Sequence, residues 1–233
     1  MPVLELAASS GLGSLLGMRH ALEPDHLAAV STLVTRERSG IKAALLGMCW
    51  GIGHTFTLIS VGAVLVVLEA QMPTQVADVF EVGVALMLIG LGVRTIGQAA
   101  RHGSRSLAHA HRHRFAIHSH GGVPPHVHIG TWTFARRPLL VGAVHGLAGS
   151  GALTALVLTT LPSTPARLAY MALFGLGSTA GMAMLSGVLG WPLARLGAHH
   201  MVVRTISFLV GCLSTGLGIS WGYSAYLRLA TGL

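Results

Sequence analysis

The sequence predicts an all-α integral membrane protein of about six transmembrane helices, arranged as two inverted three-helix repeats. Three observations carry that expectation. Of 233 residues, 52% are hydrophobic and only 9% charged, against roughly 25% charged in a soluble domain, so there is too little charge to cover a water-facing surface. Six stretches are apolar over the roughly 20 residues a bilayer crossing needs: 8–34, 41–68, 77–99, 138–161, 166–190 and 203–227. Short motifs of the first half also recur in the second at a nearly constant offset.

The recurrence has one match per span, in the same order. His20 in LLGMRHAL corresponds to His145 in LVGAVHGL, GIGHT (Gly51–Thr55) to GLGST (Gly175–Thr179), and GLGV (Gly90–Val93) to GLGI (Gly216–Ile219). Three spans per copy is an odd number, so the second copy inserts upside down, as in proteins that build a site near the bilayer midplane. The expected division is 1–100 for the first repeat, 101–137 for a histidine-rich loop and 138–233 for the second repeat.

The first span is the least like a membrane helix. Its MRHALEPDHL tract (Met18–Leu27) holds Arg19, His20, Glu23, Asp25 and His26 around Pro24. A helix running through Pro24 would leave the carbonyl of His20 without its partner four residues on, which lipid does not tolerate unless protein, water or an ion satisfies it. On an ideal helix His20, Glu23 and His26 share an arc of about 120°, while Asp25 lies roughly 140° from His20; a kink brings Asp25 round. Arg19 and Glu23, four apart, are expected to pair, with Glu23 as a ligand the alternative.

The second span carries His54 in CWGIGHTFTL, where Gly51 and Gly53 permit close helix approach and Thr55 supplies a hydroxyl. The third ends in basic residues. Between 102 and 128 lie eight of the 14 histidines, among them His109, His111, His113, His118, His120, His126 and His128. This low-complexity segment has no apolar period and is expected to be mobile and to hold borderline metals through neutral imidazoles. In the fourth span His145 stands where His20 does in the first, but the acids are gone: Ser150 replaces Asp25 and Gly151 replaces His26. His145, Ser150, Ser178 and Thr179 remain as weaker polar contacts. Met87, Met171, Met182 and Met184 are expected as packing, as are Cys49 and Cys212, each inside an apolar run.

Most of the 15 lysines and arginines fall in Arg36–Lys42, Arg94–Arg137 and Arg195–Arg204, whereas Glu69–Glu81 holds only acids. The positive-inside bias puts those basic loops in the cytoplasm and both termini outside, in the cell (inner) membrane. Basic clusters beside apolar spans are the pattern of cytoplasmic loops, and a nucleic-acid partner is not expected. No cleavable leader is expected, because a basic n-region is missing and Glu5 stands in its place. A phosphate-binding G-x-x-x-x-G-K-[ST] loop does not occur, so ATP is not the direct energy source.

Two imidazoles and a carboxylate in a low-dielectric setting suit a borderline dication such as nickel, cobalt or zinc, whereas calcium and magnesium prefer oxygen. A proton relay and a structural ion-pair cluster are the alternatives. Ionisable groups inside a membrane are by default functional.

RHALEPDH resembles the R-H-A-x-D-A-D-H signature of the nickel/cobalt transporter (NiCoT) family, whose core is H-x-x-x-x-D-H, and WGIGHT is similar to that family's F-x-x-G-H-S. The resemblance implies metal-selecting roles for His20, Asp25, His26 and His54, with His145 added from the repeat. The family usually has eight spans with the signature in the second; loss of the first implies the external N-terminus that the charge bias gives. Its later L-G-x-D-T-A-T-E signature is not kept, since FGLGSTAGM lacks both acids. The chain is most similar to the shorter, UreH-like branch of urease-accessory nickel permeases. The implied activity is not enzymatic: a secondary transporter for Ni²⁺, with Co²⁺ as a second substrate, in the uptake direction, holding no prosthetic group. Partners are the metal ion, the lipid bilayer and nickel-enzyme maturation proteins. The rival readings are an efflux permease and a membrane metal chaperone feeding urease or hydrogenase maturation.

Overall fold

The broken first span is the feature from which the rest of the architecture is arranged. The computed structural model describes residues 2–35, 37, 39–101, 108–113, 116–121, 126–129, 132–196 and 200–231. Among them the helices are α1 (Pro2–His20), α2 (Pro24–Val34), α3 (Gly40–Val67), α4 (Thr74–Arg101), α5 (Arg136–Thr160), α6 (Thr164–Leu196) and α7 (His200–Thr231). The last five are long and apolar enough to cross a membrane. Their outer faces expose residues such as Leu86, Val93, Leu209, Leu213 and Ile219, which suits contact with acyl chains.

The expected span 8–34 is divided, and the division follows from Pro24. Proline has no N–H and a fixed φ, so it suits the first turn of a helix better than an interior. Pro24 opens α2, behind Glu23 in extended geometry (φ −63°, ψ 149°). The carbonyl of His20 is not orphaned, because the helix does not run through: it accepts from the Glu23 N–H at 3.1 Å, and Leu27 N–H closes onto Glu23 at 2.9 Å. Asp25 lies in the first turn of α2 and accepts from the His26 N–H at 2.9 Å, where the helix dipole favours a negative charge.

α3 crosses α6 at the centre, α1 packs on α6, α5 on α3, and α4 on α7. These pairings are related by a two-fold exchange of the halves. A Cβ at Gly17 would overlap the Phe174 carbonyl and crowd the Ser178 nitrogen; one at Gly142 would overlap the Trp50 carbonyl and crowd the His54 nitrogen. The second set is the first with every partner moved to its counterpart in the other half. At the centre the relation closes on itself, Gly51 against Thr179 and Gly175 against Thr55, with Thr55 Oγ1 2.9 Å from Thr179 Oγ1 and donating to the Gly175 carbonyl at 2.8 Å. Backbones that approach this closely give association by packing, which membrane helices need because lipid offers no hydrophobic drive between them.

The segment between the halves differs from the featureless loop expected. β1 (Ala108–His113) pairs antiparallel with β2 (Ala116–Gly121), and β3 (His126–Ile129) with β4 (Trp132–Ala135). β1 alternates alanine with histidine, and β3 alternates histidine with Val127 and Ile129, which is the period of a strand; the register sets His109 opposite His120 and His111 opposite His118. Residues 102–107, 114–115, 122–125 and 130–131, and the metal-holding role expected of this segment's side chains, lie outside the described residues.

Candidate metal centre

Four helices bring the site together. His20 is the last residue of α1, His26 lies in the first turn of α2, and His54 and His145 sit midway along α3 and α5. His54 is 0% exposed, His26 1%, His145 2% and Asp25 6%, so five polar groups, with His20 partly buried, meet in the interior of an apolar protein. His145 reaches this point because α5 lies on α3 with no room for side chains at Gly142 and Gly146. The break after His20 is equally necessary: it turns Asp25, which a straight helix would point away, into the same interior.

The imidazoles form a contiguous group. Ring centroids are 4.4 Å apart for His20–His26, 5.3 Å for His20–His54, 5.2 Å for His26–His54 and 4.1 Å for His26–His145. Trp50 walls the group, 5.3 Å from His26. The ligand atoms of His20, His26 and His54 lie within 4.8 Å of one another, and so do those of Asp25, His26 and His145. Bond lengths of about 2.1 Å set two nitrogens on one ion no more than roughly 4.2 Å apart, so the first set is near coordination spacing before any ion draws it in.

Carboxylates fix which nitrogens face the interior. A carboxylate only accepts, so His26 Nδ1–H donates to Asp25 Oδ1 at 3.0 Å, His145 Nε2–H donates to Asp25 Oδ2 at 2.5 Å, and His20 Nδ1–H meets Glu23 Oε1 at 2.9 Å. With one nitrogen protonated in this way, the other is the lone-pair side. Those others, Nε2 of His20, Nε2 of His26 and Nδ1 of His145, together with both nitrogens of His54, are buried and have no hydrogen-bond partner. Buried polar atoms are nearly always satisfied. Four imidazoles line one cavity with unpartnered nitrogens, and each neutral ring, His54 included, has one lone pair to offer an electron-pair acceptor.

Glu23 therefore corrects the sequence expectation: it pairs with His20, not with Arg19, because the turn at 21–23 rotates it away from the i,i+4 position of a continuous helix. The second-half candidates are otherwise engaged. Ser150 Oγ donates to the Leu147 carbonyl at 2.6 Å, and Thr179 is bound to Thr55. Ser178 Oγ is buried without a partner, but it does not line the cavity that holds the histidines. Of the methionines, Met171 and Met182 are fully buried packing residues, while Met184 faces outward.

That cavity has a volume of about 420 Å³. Its floor is His20, Asp25, His26, His54 and His145; its rim includes Glu23, Glu81, Trp221, Ser224 and Arg228. Sequence reading missed the rim from α4 and α7. Arg228 Nε donates to Asp78 Oδ1 at 2.6 Å and Nη2 donates to Glu81 Oε2. The one signal available was charge: Arg228 is one of two basic residues on the side where the Glu69–Glu81 acids lie.

Residues 7–209 match the family described as NicO, high-affinity nickel-transport protein. The urease accessory protein UreH of Bacillus sp. (strain TB-90) is 29% identical over 96% of this chain and 94% of its own length. Two chloroplast proteins of Arabidopsis thaliana, FOR GROWTH AND FERTILITY 1 and 2, are each 26% identical over 94% and 95% of this chain, which spans 61% and 59% of theirs. No solved structure matches the chain at comparable significance.

Proposed function

The chain belongs to the NicO family of high-affinity nickel-transport proteins, and from that premise we propose that it is a Ni²⁺ permease whose ion is held by His20, His26 and His54. It is a multi-pass membrane transport protein and not an enzyme. Asp25 and Glu23 act from behind the imidazoles, holding each in the tautomer that offers a lone pair; carboxylates in this position raise ligand basicity and fix ring orientation. His145, tied to Asp25, brings the second repeat to the ion. Intermediate-softness nitrogen donors suit Ni²⁺ and Co²⁺ alike, so Co²⁺ is a second substrate.

The single observation that carries this reading is the convergence of unpartnered imidazole nitrogens, each backed by a carboxylate or by burial, at the floor of an accessible cavity. Charge bias supports termini outside and the histidine-rich segment on the cytoplasmic side of the inner membrane; in the uptake direction the ion enters at the rim, exchanges water for nitrogen at the floor, and leaves toward the histidine-rich segment. The likeness to a urease accessory protein favours hand-over of the ion to nickel-enzyme maturation proteins.

Reconstitution tests it. Proteoliposomes holding the protein alone should accumulate ⁶³Ni, and X-ray absorption of the nickel-loaded protein should report nitrogen-rich coordination that is lost in His26→Ala. Absence of accumulation with intact binding would assign the chain to a scaffold; a fall in cellular nickel on expression would assign it to efflux.

A further inference from the structure

The cavity runs from buried imidazoles to a charged rim, and the rim has an unequal composition. Glu23 and Glu81 have side chains 52% and 49% exposed and Arg228 41%, whereas His26 and His145 side chains are 1% and 3% exposed. Arg228 is the one lysine or arginine among the described residues lining the cavity. It comes from the last turns of α7 and is held by two carboxylates of α4, Asp78 and Glu81, 150 and 147 residues away in sequence. A guanidinium in this place repels any dication moving from the rim to the floor. Its two ion-pair partners attract the same dication and at the same time draw the guanidinium onto α4.

We propose that Arg228 is a loading-control residue for the metal path: its charge, restrained by Asp78 and Glu81 at the cavity rim, sets how fast a dication reaches the histidine floor. The inference rests on the reading of that floor as the nickel site and goes beyond it, since neither Arg228 nor Glu81 contacts the imidazoles. Long-range charge acts on encounter rates more than on final affinity, and the effect of exposed charges fades as salt shortens the screening length.

The consequence is a pair of opposite signs. Arg228→Gln removes the repulsion and leaves the acids; Glu81→Gln removes an attraction and loosens the guanidinium toward the path. The experiment is rapid mixing of NiCl₂ with the purified full chain in nanodiscs, following the loading rate by a competing metal indicator at low and at high ionic strength, with equilibrium ⁶³Ni binding measured alongside. Expected are loading about tenfold faster in Arg228→Gln and several-fold slower in Glu81→Gln at low salt. Arg228→Lys should load at the wild-type rate, equilibrium binding should be little changed in all three, and the differences should vanish in roughly 0.5 M salt.

Slower loading in both Arg228→Gln and Glu81→Gln, with lowered thermal stability, overturns the proposal and leaves the ion pair as a tie between α4 and α7. Unchanged rates, or rate changes indifferent to salt, overturn it equally. Wild-type protein that binds no nickel at equilibrium overturns the nickel-site reading instead, so the two failures are distinguishable.

Discussion

Asp25 Oδ2 lies 2.5 Å from His145 Nε2, so a carboxylate that begins a helix of the first repeat is joined to an imidazole in the middle of a helix of the second. The same carboxylate holds His26 through its other oxygen. One side chain thus orients two imidazoles from opposite halves, and the variants that separate orientation from ligation follow from it. Asp25→Asn keeps the shape but cannot accept from both rings, and nickel affinity should fall about 10- to 100-fold. His26→Ala and His20→Ala remove ligands and should abolish specific binding and transport. Isothermal titration on detergent-purified variants of equal yield checks the ranking; equal losses in Asp25→Asn and His26→Ala would make Asp25 itself a ligand.

Glu23 is paired with His20 and Arg19 is exposed. Glu23→Gln should therefore weaken nickel binding by roughly tenfold, as loss of an orienting partner does, with expression unaltered. Arg19→Ala should leave binding and expression as they are. A fall in expression in both variants, without an effect on nickel, would restore the Arg19–Glu23 pair as the structural one.

Close helix approach beside the site has its own test. A methyl group at Gly142 overlaps the Trp50 carbonyl, whereas Gly216 has open space around the same position. Overpacking costs about 1–3 kcal/mol in a well-packed interior, and at Gly142 the obstacle is backbone, which has little room to give. Gly142→Ala should lower the melting temperature and, by moving α5 off α3, reduce nickel binding; Gly216→Ala should do neither. Fluorescence-detected thermal denaturation of the two variants decides it.

Removal of 102–128 leaves the cavity and both repeats intact. Transport of ⁶³Ni should persist, with changed apparent affinity or capacity. Complete loss, in a variant that still inserts, would place the essential site in the histidine-rich segment and not at His20, His26 and His54.

How much of this was legible in the sequence depends on how far apart the interacting residues are and whether a period connects them. The helices were, because 20-residue apolar runs admit few other structures in lipid, and the two halves were, because equal motifs at equal offsets register in a linear string. His20, Asp25, His26 and His54 were drawn together by a dense polar tract beside a proline, and His145 by its offset from His20. The partner of Glu23 was not legible: assigning Arg19 assumed a continuous helix, and the turn at 21–23 changed which side chain lies beside it. Arg228 on Asp78 and Glu81 spans about 150 residues with no local pattern to announce it. The hairpins escaped because their strands are only four to six residues long, too short for a period to stand out in a histidine-rich, low-complexity segment.

The chain breaks its first crossing at Ala21–Glu23 and leaves the equivalent region of α5, Gly146–Ala148, unbroken. Two separate copies of one half-sized subunit, obeying an exact dyad, would have to break both or neither, and would carry two identical vestibules on opposite leaflets. Fusion into a single polypeptide lifts that obligation: one half specialises in chemistry while the other becomes the surface it leans on. Around the equivalent points the halves accordingly differ, acid and imidazole at Asp25 and His26 in one, hydroxyl and glycine at Ser150 and Gly151 in the other.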